Sequence, residues 1–593
     1  MKRNLSIGTL RQLVNCGSRR LTLSMLLLTF SALWLPEKAL GVGHWIPLAN
    51  TNQAGDGIGI CLLLSDGTVM AEGSDTNWYK LTPDGNGHYV NGAWSSRNSS
   101  TWGHQQGSTA VLQNGNVFIA GGENGNGTGQ VEIYNPTDDS WSTAVNPAYF
   151  GDIQDGNAML MPDGQVLIEP QEASQDYFGL TFLFNPGNNT FSPTPGAPLH
   201  SILGVEDCIG ESSWVKLPND NVLVIDSDQS SVGATTAEMY NPNTGNWQNA
   251  VTGGTVPNIW PDVTGSKDVS EMGPAFLLPN GNAIFFGGNG VTAVYNDGFW
   301  SQSASLPDSS LGQKDAPGAM LDNGNILLAV SPQGTNSSDG DINGIGPTSF
   351  YEYDYTANGG GGGFTPAPNA PTGYAQYSGK AGDLTMLDLP DGTILLSGMG
   401  SQLWVYQPDG SPLPAGQPNI NTVRWNSDGS LHLTGTLFNG ISQGAAFGDD
   451  GQMDSNWPLV RFTDGSGNVT YGRTYNWSST GVQTGSKIIT TECTVPANVF
   501  TNGSAAYSLQ VVANGNASSP VTFFGPVWVD FNYSPSSPQS GTFANPYSTL
   551  AQGTNAVTSG GTIAIKPGHS PVTMKIAKPM QIIAIGGSAT IGH

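Results

Sequence analysis

A short hairpin pattern recurs seven times along this chain and constrains its fold more than any other feature. Each copy is an apolar strand, an Asx-led turn and a second apolar strand: "CLLLSDGTVMAEG", "AVLQNGNVFIAGG", "AMLMPDGQVLIEP", "WVKLPNDNVLVID", "AFLLPNGNAIFFGG", "AMLDNGNILLAV" and "MLDLPDGTILLSG". The turns begin at Asp66, Asn114, Asp163, Asn219, Asn280, Asn323 and Asp391, and only the fourth, Asn-Asp, departs from Asx-Gly. Asx-Gly favours a tight hairpin because both residues tolerate the positive φ that the turn demands. Each copy continues into an aromatic-led strand and a second turn, as in "IYNPTDDSW" and "MYNPNTGNW". Six are followed by a further aromatic, at Trp94, Trp141, Phe191, Trp247, Trp300 and Phe364. Four strands per unit, at a spacing of about 43 to 68 residues, predict the blades of a β-propeller.

The seventh unit lacks the last aromatic strand after "VYQPDG", while "GHWIPLA" near the start offers a spare one with Trp45. The N-terminal strand is therefore expected to complete the last blade, closing the ring and removing its exposed edges. A sandwich of short strands is the competing reading, but repetition in register is not expected of it. With their Gly-Gly and later Tyr and Trp positions, the units resemble kelch repeats. That resemblance predicts a seven-bladed kelch-type β-propeller over residues 42–418.

The period breaks after that point. Short alternating strands in "NTVRWNSDGSLHLTG" and "AAYSLQVVANGNASSPVTFF" predict a β-sandwich over 419–525. A kelch propeller followed by an immunoglobulin-like sandwich is similar to the layout of the galactose oxidase and glyoxal oxidase family. The tail, 526–593, resembles the opening rung of a parallel β-helix. One or two rungs cannot bury a core alone, so the tail is expected to pack on the sandwich, to pair between chains or to be only partly ordered. The whole is all-β, in keeping with 81 Gly, 39 Pro and a length that suits two or three domains.

Residues 1–41 differ in kind. Five basic residues precede the apolar run Leu21 to Pro36, and small residues follow, which predicts a secretory signal cleaved near Gly41. A retained anchor is the alternative, although the run is short for a span. The expected location is secreted or cell-surface. Without this segment 13 Lys and Arg face 44 Asp and Glu, a net charge of −31. Such a chain is repelled by nucleic acid and by anionic membranes. Cys61, Cys208 and Cys493 remain; their pairing is left open, and three cysteines are not a disulfide scaffold. Oligomeric state has no signature here.

The galactose oxidase resemblance implies a copper site: a Cys cross-linked to a Tyr, a Tyr-His pair, and a His from the sandwich. The first elements would lie about eight residues before the turns of the first, second and last blades. Those positions hold Ile58, Gln106 and Gly382-Asp383. His432, in "SLHLTG", is the one His in the sandwich and reads as structural. Copper wants imidazole with thiolate or phenolate. The resemblance therefore implies the fold without the oxidase activity, and copper is not expected.

The same offset exposes another pattern. Across the seven blades it falls on Ile58, Gln106, Asp155, Glu211, Met272, Asp315 and Asp383, with Asp56 and Glu271 close by. Loops leading into the inner strands converge on one mouth of a propeller. Asp155, Glu211, Asp315 and Asp383 are therefore candidate ligands for a divalent cation such as Ca²⁺, since crowded carboxylates are eased by one. The plain alternative is that the acids cap turns in an acidic protein. Trp102, His104 and Gln105 are expected near the same mouth, with Gln106 in the register itself; a ring beside amides and carboxylates suits a sugar, while packing between blades is the stronger expectation for Trp102. "GDDGQMDSN" lacks calcium-loop spacing and reads as a solvated turn. No G-x-S-x-G elbow or persuasive triad is present.

The expectation is an exported, non-catalytic recognition protein that binds a glycan, a surface polymer or a protein at the mouth. A carboxylate-based hydrolase or divergent oxidase is the second reading. A structural matrix or coat component is the third.

Overall fold

The structure, a computed structural model, describes residues 43–592 except 123, 124, 128, 145–152, 154, 155, 170–180, 195–211, 226–235, 260–271, 335–343, 370–376, 399, 448–454, 501–504 and 535–537. The segment 1–41, expected to be a signal, Cys208 and the acids of "GDDGQMD" lie outside the described residues.

Seven antiparallel sheets follow one another and form the blades of a propeller. Their inner strands are Cys61–Leu63, Ser108–Val111, Ala158–Leu160, Val215–Lys216, Ala275–Leu277, Pro317–Met320 and Thr385–Asp388. The seven hairpin turns are built alike. In each, the leading Asx side chain accepts from the backbone N–H two residues on, from Asn116 to Asn114 at 3.0 Å and from Asn325 to Asn323 at 2.9 Å, for example. The Gly that follows sits at a φ between 74° and 89° in six turns. In the fourth, Asp220 takes that conformation at φ 69°, which explains why Asn-Asp is tolerated and at some cost.

Each outer aromatic packs on the aromatic or leucine opposite it in the third strand. Trp141 faces Tyr134 with ring centroids 4.9 Å apart, and Trp300 faces Tyr295 at 5.2 Å. Such pairs add about 0.5–1.5 kcal/mol beyond the area they bury. The indole N–H groups reach to the neighbouring blade: Trp141 donates to the Asn98 carbonyl at 2.8 Å and Trp300 to that of Ala250 at 3.2 Å. His44–Pro47 pairs antiparallel with Trp404–Gln407, so the N-terminal strand closes the last blade, with Trp45 opposite Tyr406.

At the end opposite the turns, side chains at the start of the inner strands tie several blades to the next. Ser108 donates to the Gly156 carbonyl, and Asn157 to that of Ser212 at 2.8 Å. Ser213 donates to Gly273 O at 2.8 Å, and Thr385 to Gly59 O at 3.2 Å across the closure, where Ser397 also donates at 2.6 Å. These latches mark the mouth.

Strands between Asn419–Trp425 and Val521–Phe524 form the sandwich. Val469–Tyr475 joins its layers: residues 469–472 pair with Leu459–Thr463, and residues 473–475 with Ile489–Thr494. A strand that changes sheets in this way turns a corner. Leu431, Leu433, Val460, Phe462, Cys493, Leu509 and Val511 fill the core between the layers.

The sandwich sits on the turn end of the propeller and enters it. Tyr471 covers the Gly67 turn, and the guanidinium of Arg473 reaches the Asn114 carbonyl. Ala445–Phe447 adds to the inner edge of Pro317–Met320, running antiparallel, and lies against the inner strands of blades 5, 6 and 7. Ser455, returning from this excursion, donates to the buried Asp388 of blade 7. Lys216 of blade 4, also buried, donates to the Thr480 carbonyl at 3.3 Å. The turn end of the channel is thereby stoppered. Trp457 and Trp477, stacked at 5.7 Å, belong to the same apolar core as blades 1, 2 and 7.

The tail forms two short parallel sheets, Val527–Val529 with Thr562–Ile565 and Gln581–Ala584, and Gly568–Ser570 with Ala589–Ile591. It packs on the sandwich, where Ile583 touches that core and the Gly586 N–H donates to Ser427 O at 3.2 Å.

Candidate functional site

The mouth is formed by the loops that lead into the inner strands. Gln106 and Asp315 occupy matching places in blades 2 and 6. Each sits at a positive φ, 61° and 49°, in a turn closed by the next residues: Gly107 N–H to His104 O, and Ala316 N–H to Gln313 O. A short polar side chain tolerates this conformation better than an apolar one. Backbone geometry therefore accounts for part of the polar choice at these positions.

Asp383 ends a 3₁₀ turn, Ala381–Asp383, and is exposed. The Tyr377 hydroxyl donates to its carboxylate at 3.1 Å. Burial, and then the charge of Asp383, push the Tyr377 phenol up to about 12, so it stays a donor at neutral pH. Asp315 adjoins the same turn: a Cβ placed on Gly382 would lie 2.8 Å from the Cβ of Asp315. Asp315 of blade 6 thus lies against the turn of blade 7 that ends in Asp383, and glycine at 382 permits that approach.

The remaining expectations fare differently. Asp56 is beside the mouth, but its carboxylate accepts from Tyr79 Oη at 2.6 Å and Asn77 Nδ2 at 3.1 Å. The Tyr79 bond chiefly holds its carboxyl below the usual range. It braces blade 1. His104 does not face the mouth: it is buried, with Nδ1 2.7 Å from Gly121 O and Nε2 3.1 Å from Glu132 Oε2. Burial alone would raise Glu132, but bonds from His104 and from the N–H groups of Thr101 and Trp102 outweigh it and keep the carboxyl low. The turn through His104 to Gly107 folds the imidazole inward, which the spacing in "WGHQQG" did not reveal. Asp155, Glu211 and Glu271 lie outside the described residues. Among the described residues, no three His, Cys, Asp or Glu side chains gather where they could hold a metal.

Glu72 was missed in the sequence. It ends the second strand of blade 1, is 2 % exposed, and leaves Oε1 without a hydrogen-bond partner. Burial pushes its carboxyl up to about 8. Its signal was an acid closing the apolar run "TVMAE". Beside it Cys61 is buried and free, and burial raises its thiol to about 12, as expected of a small hydrophobe at this position. Cys493, also free, is buried in the sandwich.

The copper set implied by the galactose oxidase resemblance does not fit these residues. Ile58 is buried and apolar, Gln106 is an amide, and Asp383 is a carboxylate. His432 pairs through Nδ1 with Glu492 Oε1 at 2.8 Å on the sandwich surface. The three propeller positions offer neither the imidazole nor the phenolate that copper prefers, and the one imidazole, His432, is held by Glu492.

Seven closed blades with a sandwich seated on the turn end define a seven-bladed β-propeller protein. Comparison with known families agrees: residues 106–147, the second blade, match the Kelch motif. Among solved structures the chain is similar to a fungal alcohol oxidase of the AA5 family in complex with copper. The identity is 12 %, the TM-score 0.44, and the match covers 82 % of this chain and 100 % of that one. It is also similar to YCF48 bound to a D1 peptide, at 12 % identity and a TM-score of 0.38, covering 63 % of this chain and 98 % of that one. No curated protein matches the sequence.

Proposed function

We propose that this chain is an exported, non-catalytic recognition protein whose propeller mouth binds a surface polymer, a glycan above all, with a divalent cation as bridge. The observation that carries this reading is the placing of Asp315 against the turn that ends in the exposed Asp383, at the end of the propeller away from the sandwich. Carboxylates on neighbouring blades suit Ca²⁺, which takes oxygen ligands flexibly and can share them with sugar hydroxyls. Asp155 and Glu211 precede the inner strands of blades 3 and 4 in the same register, with Glu271 one position away from it in blade 5, and would add to the set. The strongly acidic body argues against nucleic acid and anionic membranes as partners.

The reading is tested by binding of immobilised acidic and neutral polysaccharides with calcium and with EDTA. Calcium-dependent binding that fails in Asp315→Asn/Asp383→Asn supports it. Binding indifferent to both, or turnover of the polysaccharide, sinks it.

A further inference from the structure

The sandwich does not cover the turn end evenly. A Cβ on the turn glycines of blades 1 and 2 would meet Tyr471 and Arg473 of the sandwich, whereas at Gly164 of blade 3 the nearest atoms are those of Gln113 of blade 2. Two clefts open beside this turn. One, of about 390 Å³, runs between blades 2 and 3 to Asn476 of the sandwich. The other, of about 240 Å³, lies between blades 3 and 4. Asp163 and Gln165 line both, so the two adjoin and form one groove along the rim.

Six carboxamides line it, Gln113, Asn114, Gln165, Asn185, Asn243 and Asn476, beside apolar surface from Met161, Leu183 and Tyr240 among others. Among all lining residues Asp163 alone carries a charge. Its carboxylate is engaged by the Gln165 backbone N–H at 3.0 Å and by Gln165 Nε2 at 2.8 Å. A carboxamide presents a donor and an acceptor side by side, which matches neighbouring hydroxyls and offers no attraction to an ion.

The walls are also fixed beforehand. Gln113 Nε2 donates to Pro162 O at 3.1 Å and ties blade 2 to blade 3. The Asn476 N–H donates to Gln113 O at 2.7 Å, which holds the sandwich loop against blade 2. Asn185 accepts from the Gly187 N–H at 2.8 Å and fixes the outer turn. Asn476 is itself exposed, at φ 52°. Groups held in place before binding lose little entropy on it, and the combined volume suits a few sugar rings.

From this groove we infer a second ligand site, at the turn end of blades 2 to 4, that takes a neutral oligosaccharide chain without a metal ion. It is separate from the mouth and does not rest on the function proposed there. The test is calorimetric titration of the full chain with cellohexaose, maltohexaose and chitohexaose in EDTA. At least one should bind. The variant Gln165→Ala/Asn243→Ala/Asn476→Gly should weaken it tenfold or more, while Asp315→Asn/Asp383→Asn stays within twofold. Thermal unfolding of both variants checks that the fold is kept. If none of the three binds in EDTA, or if the groove variant binds as the wild type does, the inference is overturned. Binding that needs calcium and fails only in the mouth variant also overturns it, and leaves the mouth reading standing.

Discussion

The two ends of the propeller are built from the same seven hairpins yet follow different rules. At the turn end every blade repeats one device, an Asx side chain capping a two-residue turn, and most of that surface is packed against the sandwich. At the mouth the loops differ in conformation from blade to blade: positive-φ turns at Gln106 and Asp315, a 3₁₀ turn before Asp383, a carboxylate braced by tyrosine at Asp56. Regularity marks where the chain secures its stability, and irregularity marks where it keeps chemistry available.

That contrast breaks down first if the stopper is dispensable. Trp477→Ala should cost about 3–5 kcal/mol in urea unfolding, because the ring is buried in a core shared by sandwich and blades. A loss below about 1 kcal/mol would mean that the two ends are not held by that core.

The next largest effect lies at the mouth and depends on pH. Burial raises the carboxyl of Glu72 in the fold to about 8, from an ordinary value of 4.5. Its protonated form is favoured in the folded state, so stability is full below about 4.5 and falls as pH rises towards 8. Unfolding free energies measured from pH 5 to 8 should decline by several kcal/mol, and Glu72→Gln should flatten that decline. The turn end offers a weaker counterpart with its own sign check. Hydrogen bonding to Asp391 raises His88, so that pair helps below the ordinary imidazole range and its help is lost as pH rises through the raised value. His88 is largely exposed, which limits the gain to about 0–1 kcal/mol.

Smaller effects sharpen the comparison. Asp220→Gly should stabilise by about 0.5–1 kcal/mol by relieving the one turn that lacks glycine. Asp315→Asn and Asp383→Asn should leave stability within about 0.5 kcal/mol, since asparagine accepts the same backbone at 315 and Asp383 is exposed. Their effect should appear in ligand binding alone.

Legibility in the sequence follows the same division. The seven turns, the outer aromatics and the closure by Trp45 could all be read, because each rests on a local rule repeated in register. The stopper could not. Ala445–Phe447 is three residues long, and its place is set by a blade more than a hundred residues earlier. Tyr377 and Tyr79 were missed as partners of Asp383 and Asp56 for a related reason: one reaches its acid from the preceding connection and the other from a neighbouring strand. His104 was misplaced because a turn decides which way its ring points.

The mouth is the centre of this account, and metal analysis of the purified full chain tests it most directly. After exchange into metal-free buffer and titration, the account predicts stoichiometric calcium that disappears in Asp315→Asn/Asp383→Asn, with no copper retained. Stoichiometric copper accompanied by a tyrosyl radical signal would contradict it.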